Sequence, residues 1–145
     1  MADTATETAP RHKRGGLYFE GFVVGSLTEH RYHRTVTQMD NMLFSNMTLN
    51  PQPLHIDRHF CETETEWGQP LMNSLFTLGL MIGMQVSDMT VGTTIANLGM
   101  TDVKFPHPLF EGDTVLHQRS SRQAPVEVAP YRRHRRPAHP RLQPK

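Results

Sequence analysis

The spacing of apolar residues changes along the chain and predicts a succession of short elements. HRYHRTVT, residues 30–37, alternates with a period of two and predicts a short strand. From Gln38 to Asn46 the spacing becomes helical, and Thr37 suits the N-cap of that helix. The apolar stripe of this helix consists of Met39, Met42 and Leu43. A second short helix is predicted from Ile56 to Thr65.

The longest apolar segment, Pro70 to Met89, predicts a long helix at the centre of the fold. Pro70 suits the first turn of a helix, and apolar residues on every side predict burial nearly all round. One stripe at helical spacing comprises Leu71, Leu75, Leu78, Ile82 and Val86. Polar residues at 73, 74 and 85 leave the apolar run short of the roughly 20 residues that a membrane span needs. We therefore interpret the segment as a core helix and expect no membrane contact.

Two strands are predicted after this helix. Residues 93–105, TTIANLGMTDVKF, alternate throughout and predict a long strand with one face on the helix. Residues 113–119, DTVLHQR, begin a second strand, but the alternation then gives way to an aperiodic sequence rich in Arg, Pro and His. Two strands form too small a sheet to cover so apolar a helix.

The charge distribution separates the last residues from the rest. The net charge is +1, yet residues 119–145 carry eight Lys or Arg against one acid, Glu127, while residues 1–118 carry seven basic and thirteen acidic residues. Basic segments are one signature of nucleic-acid binding. This one has a single aromatic residue, Tyr131, and five prolines, which is more typical of a disordered segment. We therefore predict a disordered tail over 119–145 and no nucleic-acid partner.

The remaining bulk properties suit one domain in a reducing compartment. A length of 145 residues fits a single domain, and the single cysteine, Cys61, excludes an internal disulfide. Residues 1–15 lack the apolar stretch of a secretory signal and are interpreted as a disordered leader. We expect a cytoplasmic protein whose folded domain spans residues 16–118.

The segment TLNPQPLHIDRHF is the strongest candidate for chemistry. Pro51 and Pro53 fix φ and push Asn50 and Gln52 toward extended backbone. Imidazole side chains titrate near neutral pH and can act as bases. A rigid segment would hold the imidazole of His55 in a fixed direction toward a reaction centre. The same residues also suit a plain turn, with His55 as a capping or surface residue and Asn50 closing an Asx turn before proline.

Four sequence blocks give the chain a family resemblance that runs from about Tyr18 to Val115. The blocks are RTVTQMDNMLFS, NPQPLHID, WGQPLMNSLFTLGL and ANLGMTDVKFPHPLFEGDTV. In them the chain resembles the MaoC-like dehydratases, the (R)-specific enoyl-CoA hydratases of the hot-dog fold. The resemblance implies an α+β fold in which an antiparallel sheet wraps one long helix. It also implies pairing of protomers into a homodimer or higher homo-oligomer.

The resemblance also implies a catalytic motif. The family pattern D-x-N-P-x-H falls on residues 50–55, so that His55 matches the catalytic histidine. Asn50 stands where the family has aspartate and Gln52 where it has asparagine. Because an amide cannot take a proton, the base is His55 alone or His55 with a nearby acid, of which Asp57 is close in sequence. This variant motif resembles a subgroup that acts on short branched or dicarboxylic thioesters such as mesaconyl-CoA.

Substrate-binding residues follow from the same chemistry. Hydration needs hydrogen-bond donors for the thioester oxygen, and N–H groups at the start of the long helix suit that task. The residues so assigned are Leu71, Met72, Asn73 and Ser74. The resemblance adds Gln52 from the motif and, along the family's path of CoA, Lys104, Phe105 and Pro106. Ordinary helix-end polarity at residues 73 and 74, and a solvated strand end at 104–106, are equally good explanations.

These residues and the resemblance predict reversible hydration of a short-chain enoyl-CoA, with no metal and no cofactor besides the coenzyme A of the substrate. The alternative is a non-catalytic acyl-CoA-binding or inactive subunit, because relatives continue with further strands where this chain becomes aperiodic. We hypothesise that the chain is altered after about Leu116, for example by a reading-frame change in a GC-rich gene. Reading the coding DNA in the other frames tests that hypothesis.

Overall fold

The structure is a computed structural model that describes residues 9–116 and 118–120. Its helices are α1 (Gln38–Met47), α2 (Pro53–Ile56), α3 (Arg58–Glu64) and α4 (Ser74–Gln85), and α4 continues into a π-helical turn at Val86–Thr90. A short 3-10 turn, Phe19–Gly21, precedes them. The strands are β1 (Leu27–Glu29), β2 (Arg34–Thr35), β3 (Thr114–Val115) and β4 (Gln118–Ser120).

The strands form two small antiparallel ladders. β1 pairs with β4, and β2 pairs with β3. Across the second ladder the hydroxyls of Thr35 and Thr114 lie 2.7 Å apart. Helices combined with a small antiparallel sheet confirm the predicted α+β class. Within the described residues, β3 and β4 lie in the region of the second predicted strand, residues 113–119.

Helix α1 begins where the sequence predicts, but its apolar stripe is wrong. Thr37 caps the helix by accepting a hydrogen bond from the Asp40 amide, and the Asp40 carboxylate accepts one from the Thr37 amide at 2.9 Å. The predicted stripe faces outward: Met39 and Leu43 are 75% and 57% exposed. The core side of α1 instead carries Asn41 and Ser45, at 0% and 2% exposed.

The helix predicted from Ile56 to Thr65 is two helices joined at Asp57. Pro53 occupies the first turn of α2, where its missing N–H costs no helical hydrogen bond. Asp57 has extended backbone, with φ −114° and ψ 104°, so α2 ends there. Its carboxylate then accepts a hydrogen bond from the Phe60 amide at 3.0 Å and caps α3. Cys61 of α3 is buried, and that burial raises the pKa of its thiol.

Helix α4 is shorter and more exposed than predicted. Pro70 to Asn73 lie before the helix, and Leu71 forms an isolated antiparallel bridge with Phe110, which keeps this segment extended. Burial nearly all round is wrong, because Met84 is the buried residue of α4 and Leu75 is 62% exposed. Throughout residues 9–116 and 118–120, each helix is too short or too polar to traverse a bilayer.

The long strand predicted over residues 93–105 is absent from the described structure. Residues 94–109 form no helix or strand, and Ile95 and Leu98 are 95% and 97% exposed. A strand needs a neighbour to accept its backbone hydrogen bonds, and no described strand pairs with this segment. The segment therefore leaves α4 without the cover that the alternating pattern predicted.

Among the described residues, the buried apolar side chains that form a small core are Leu17, Val36, Cys61, Met72, Met84 and Met89. Residues 1–15 were predicted to be a disordered leader, but residues 9–15 have a described structure. Arg11 forms a bridge with Leu17, and its guanidinium donates to the Asp88 carbonyl at 3.0 Å. Residues 1–8 and 121–145, which include nearly all of the predicted tail, lie outside the described residues.

A carboxylate at the end of α4 ties the helix to the segment after β1. Asp88 accepts hydrogen bonds from the Arg31 amide at 3.0 Å and the Arg31 guanidinium at 2.8 Å, and its Oδ2 lies 3.3 Å from His30 Nδ1. Burial opposes ionisation of Asp88, but the hydrogen bonds from Arg31 outweigh it and hold the pKa of this carboxyl below its ordinary value.

Asp88 is therefore expected to make the fold sensitive to acid. Because its pKa is lower in the folded state, its carboxylate stabilises the fold above an unfolded pKa of about 3.9. That contribution disappears as the pH falls through the lower, folded value. An Asp88→Asn variant should have a lower Tm at neutral pH and a weaker decline of Tm in acid. Circular dichroism melts from neutral to acidic pH test this, and equal acid dependence in the two proteins would contradict it.

Candidate active site

The proline-rich segment places His55 in the single turn of α2. Pro53 begins the turn, and the His55 amide donates to the Gln52 carbonyl at 3.0 Å. Asn50 is tied to the end of α1, because its amide donates to the Ser45 carbonyl at 2.9 Å. His55 as a whole is half-buried.

One hydrogen bond fixes the orientation and the tautomer of His55. Its Nδ1 lies 2.8 Å from the carbonyl oxygen of Leu71. A carbonyl only accepts hydrogen bonds, so in the neutral ring Nδ1 carries the proton and Nε2 has a free lone pair. The ring is thus held as a base whose accepting nitrogen is Nε2.

Asn50 and Gln52 adopt the geometry of an Asx turn. Asn50 Oδ1 accepts a hydrogen bond from the Gln52 amide at 3.1 Å. Asn50 is half-buried and Gln52 is exposed. The Asn50 oxygen is used within the turn, which leaves its carboxamide N–H₂ as the group to offer a ligand. Asp57, the acid considered as a partner of His55, directs its carboxylate to the Phe60 amide instead.

The amides before α4 are engaged inside the protein. The Leu71 amide donates to the Leu54 carbonyl at 3.0 Å, and the Met72 amide donates to the Leu109 carbonyl at 2.9 Å. The Asn73 amide donates to Asn41 Oδ1 at 2.9 Å. The N–H groups expected to face a substrate at residues 71–73 are therefore occupied.

The start of α4 leaves a different pair of donors. Asn73 is its N-cap, and Asn73 Oδ1 accepts from the Leu75 amide at 2.9 Å. The described residues provide no acceptor for the amides of Ser74 and Phe76, which belong to the first turn. Ser74 is exposed, so the positive end of the helix dipole opens here toward a ligand.

A cavity of about 200 Å³ lies at this end of α4. Five of the predicted substrate residues line it: Leu71, Met72, Ser74, Phe105 and Pro106. The predicted residues that do not line it are the catalytic pair, His55 and Asn50, together with Gln52, Lys104 and the buried Asn73. The cavity is mainly apolar, and its polar groups come from Ser74, Thr77 and His107.

Trp67 and Asn41 are site residues that the sequence did not reveal. Trp67 lines the cavity, and its ring centroid lies 6.0 Å from that of Phe110. It is the first residue of the family-like block WGQPLMNSLFTLGL, and a lone tryptophan in such a block was a usable signal. Asn41 contacts the site from α1. It was missed because Met39, Met42 and Leu43 were predicted to form the buried face of that helix.

Comparisons with known proteins agree with this architecture. The model of the MaoC like domain matches residues 22–124, more than half of the chain. The chain is 36% identical to the monoamine oxidase regulatory protein of Archaeoglobus fulgidus, with a TM-score of 0.62 and coverage of 71% of this chain and 69% of that chain. A search of curated proteins found no significant match.

Two further solved structures share the fold at lower identity. The MaoC-like dehydratase of Rhodospirillum rubrum is 21% identical, with a TM-score of 0.61 and coverage of 71% of this chain and 68% of that chain. The R-hydratase PhaJ1 of Pseudomonas aeruginosa is 22% identical, with a TM-score of 0.57 and coverage of 68% and 61%, respectively. The helices, the small antiparallel sheet and these matches lead to one conclusion: the chain belongs to the family of MaoC-like domains and has their hot-dog fold.

Proposed function

We propose that the chain catalyses reversible hydration of short-chain 2-enoyl-CoA thioesters, with branched or dicarboxylic acyl groups of the mesaconyl type as its preferred class. The observation that carries the proposal is the hydrogen bond from His55 Nδ1–H to the Leu71 carbonyl, because it leaves Nε2 ready to take a proton. The family description and the name of the R-hydratase that shares the fold support this reaction class.

The proposed reaction uses the side chains of His55 and Asn50 and two backbone amides of α4. His55 Nε2 removes a proton from water as the water oxygen bonds to C3, and the Asn50 carboxamide N–H₂ donates to that oxygen and positions it. The π electrons of the double bond move onto the thioester oxygen, which accepts hydrogen bonds from the Ser74 and Phe76 amides. The imidazolium then returns the proton to C2, so that one water is added overall. Dehydration reverses these steps.

The cavity supports a compact acyl group. About 200 Å³ with apolar walls suits a few carbon atoms next to the thioester, and Ser74 and His107 offer hydrogen bonds to the free carboxylate of a dicarboxylic acyl group. Coenzyme A enters as part of the substrate, and Lys104 is proposed to lie along its path. Assembly as a homodimer or higher homo-oligomer in the cytoplasm, without nucleic acid or membrane, belongs to the same proposal.

Residues 94–109, the segment without helix or strand, favour a second candidate function, that of an acyl-CoA-binding subunit without activity. Ile95 and Leu98 are almost fully exposed, so the wall of the cavity formed by residues 105–109 continues into a segment that no described strand supports. A catalytic site needs groups held within a fraction of an ångström, whereas binding tolerates a looser wall. The name of the Archaeoglobus relative, a regulatory protein, is compatible with such a role.

An assay of the full-length protein with crotonyl-CoA and mesaconyl-CoA separates the two candidates. Hydration is expected to remove the absorbance of the conjugated thioester and to yield the 3-hydroxyacyl-CoA, while free crotonate serves as the unreactive control. Faster turnover of mesaconyl-CoA supports the preferred substrate class. Calorimetric binding of either thioester without turnover favours the binding subunit. If the protein neither binds nor turns over either thioester, the proposal is overturned.

A further inference from the structure

We infer that Asn41 is a positioning residue that holds the His55 base in place, an inference that rests on the proposed hydratase function. Asn41 lies on α1, outside the proline-rich segment, and its side chain is 0% exposed. Burial of a carboxamide is unfavourable unless hydrogen bonds satisfy its donors and its acceptor. The environment of Asn41 provides those partners, and each of them belongs to the active site.

The Asn41 carboxamide makes three hydrogen bonds to backbone groups. Its Nδ2 donates to the His55 carbonyl at 2.7 Å and to the Leu71 carbonyl at 3.0 Å. Its Oδ1 accepts from the Asn73 amide at 2.9 Å. The partners also fix the orientation of the carboxamide, because a flipped amide would place Oδ1 against two carbonyl oxygens.

These bonds hold His55 at both ends of its side chain. The His55 carbonyl fixes the backbone from which the imidazole projects. The Leu71 carbonyl, which accepts from Asn41, also accepts from His55 Nδ1–H at 2.8 Å. Asn41 therefore holds both the backbone of His55 and the Leu71 carbonyl that sets the tautomer of its ring. A change at Asn41 should act on Nε2 without any direct contact with substrate.

The third bond connects the base to the proposed donors for the thioester oxygen. The Asn73 amide immediately precedes Ser74, a residue that lines the cavity. Asn41 thus links α2 to the start of α4 through a single rigid side chain. Such a link fixes the distance between the proton-accepting nitrogen and the oxyanion donors, and small errors in that distance reduce rates strongly.

Two substitutions test this role in the full-length protein. Asn41→Asp keeps an acceptor for the Asn73 amide but turns an oxygen toward the two carbonyls, and Asn41→Ser removes the bridging group. Both are expected to lower kcat by about 10²-fold while KM changes little, because the reacting groups are misplaced rather than lost. Ser45→Ala is the matched control, since Ser45 is the buried neighbour of Asn41 on α1 and its hydroxyl contacts no group of the proposed site within the described residues, so kcat and KM should stay at the wild-type values.

The tautomer of His55 provides a readout that does not depend on activity. Nitrogen-15 spectra of the wild-type imidazole should show a protonated Nδ1 and a basic Nε2, and the Asn41 variants should show mixed tautomers. If the wild-type protein has no hydratase activity, the proposed function is contradicted. The tautomer measurement would still decide whether Asn41 positions His55.

Three results would overturn the inference. The first is a wild-type ring protonated at Nε2. The second is a folded Asn41 variant with the wild-type tautomer and, where the wild type is active, the wild-type kcat. The third is two unfolded Asn41 variants beside a folded Ser45→Ala protein, which would assign Asn41 to stability alone. Ser45 is the buried neighbour one turn along α1, and its hydroxyl has no hydrogen-bond partner in the described part of the chain.

Discussion

Replacement of His55 by glutamine is expected to lower kcat for enoyl-CoA hydration by about 10²–10⁴-fold, the contribution typical of a general base. Glutamine fills similar space and offers polar atoms to the Leu71 carbonyl, which His55 contacts at 2.8 Å. Its amide cannot accept a proton from water. Binding of the thioester should persist, since the proposed contacts to its oxygen come from α4. The rate and KM with crotonyl-CoA, measured beside a circular dichroism spectrum, test this expectation.

His59→Gln provides the control for this loss. His59 is an exposed residue of α3, so the same chemical change there should leave kcat and the fold unaltered. Equal activity of His55→Gln and the wild type would reject His55 as the base. In that case the Asx turn at Asn50 would be the whole function of the proline-rich segment, and the binding subunit would become the better explanation.

The local geometry that the sequence predicted in the proline-rich segment is built from neighbouring residues. His55, Asn50 and the two prolines lie within one short segment, and fixed φ angles transmit directly to the geometry of that segment. The Asx turn and the N-caps at Thr37 and Asp57 are equally local. Asn41 was missed because its partners lie 14 to 32 residues away, and no local pattern encodes such contacts.

The fold shows the same division between local and distant interactions. The start of α1 follows from its capping box, whereas the faces of α1 depend on what packs against them, and polar Asn41 proved to be the inward residue. Residues 93–105 have the alternation of a strand, but a strand forms only with a paired neighbour. Their alternation therefore indicated a preference for extended backbone, but these residues form no paired strand in the described structure.

Replacement of Ser74 by proline is expected to lower kcat by about 10²–10³-fold, the effect of removing one oxyanion donor. The substitution deletes the Ser74 amide hydrogen but suits the local backbone, since proline is favoured at the first position of a helix. Asn73, which would precede the proline, already has φ −61° and ψ 127°, the extended geometry that proline requires before it. The helix should therefore form, and the cap from Asn73 Oδ1 to the Leu75 amide should remain.

Two companion variants separate the amide from other effects at this position. Ser74→Ala removes only the hydroxyl, so a rate near that of the wild type would assign the loss in Ser74→Pro to the amide. Arg58→Pro makes the equivalent change at the first residue of α3, where the preceding Asp57 is also extended, and should leave kcat unchanged. A Ser74→Pro protein with normal kcat would place the thioester oxygen elsewhere. A loss confined to KM would mean that the amide binds substrate and transition state equally, because only preferential binding of the transition state raises kcat.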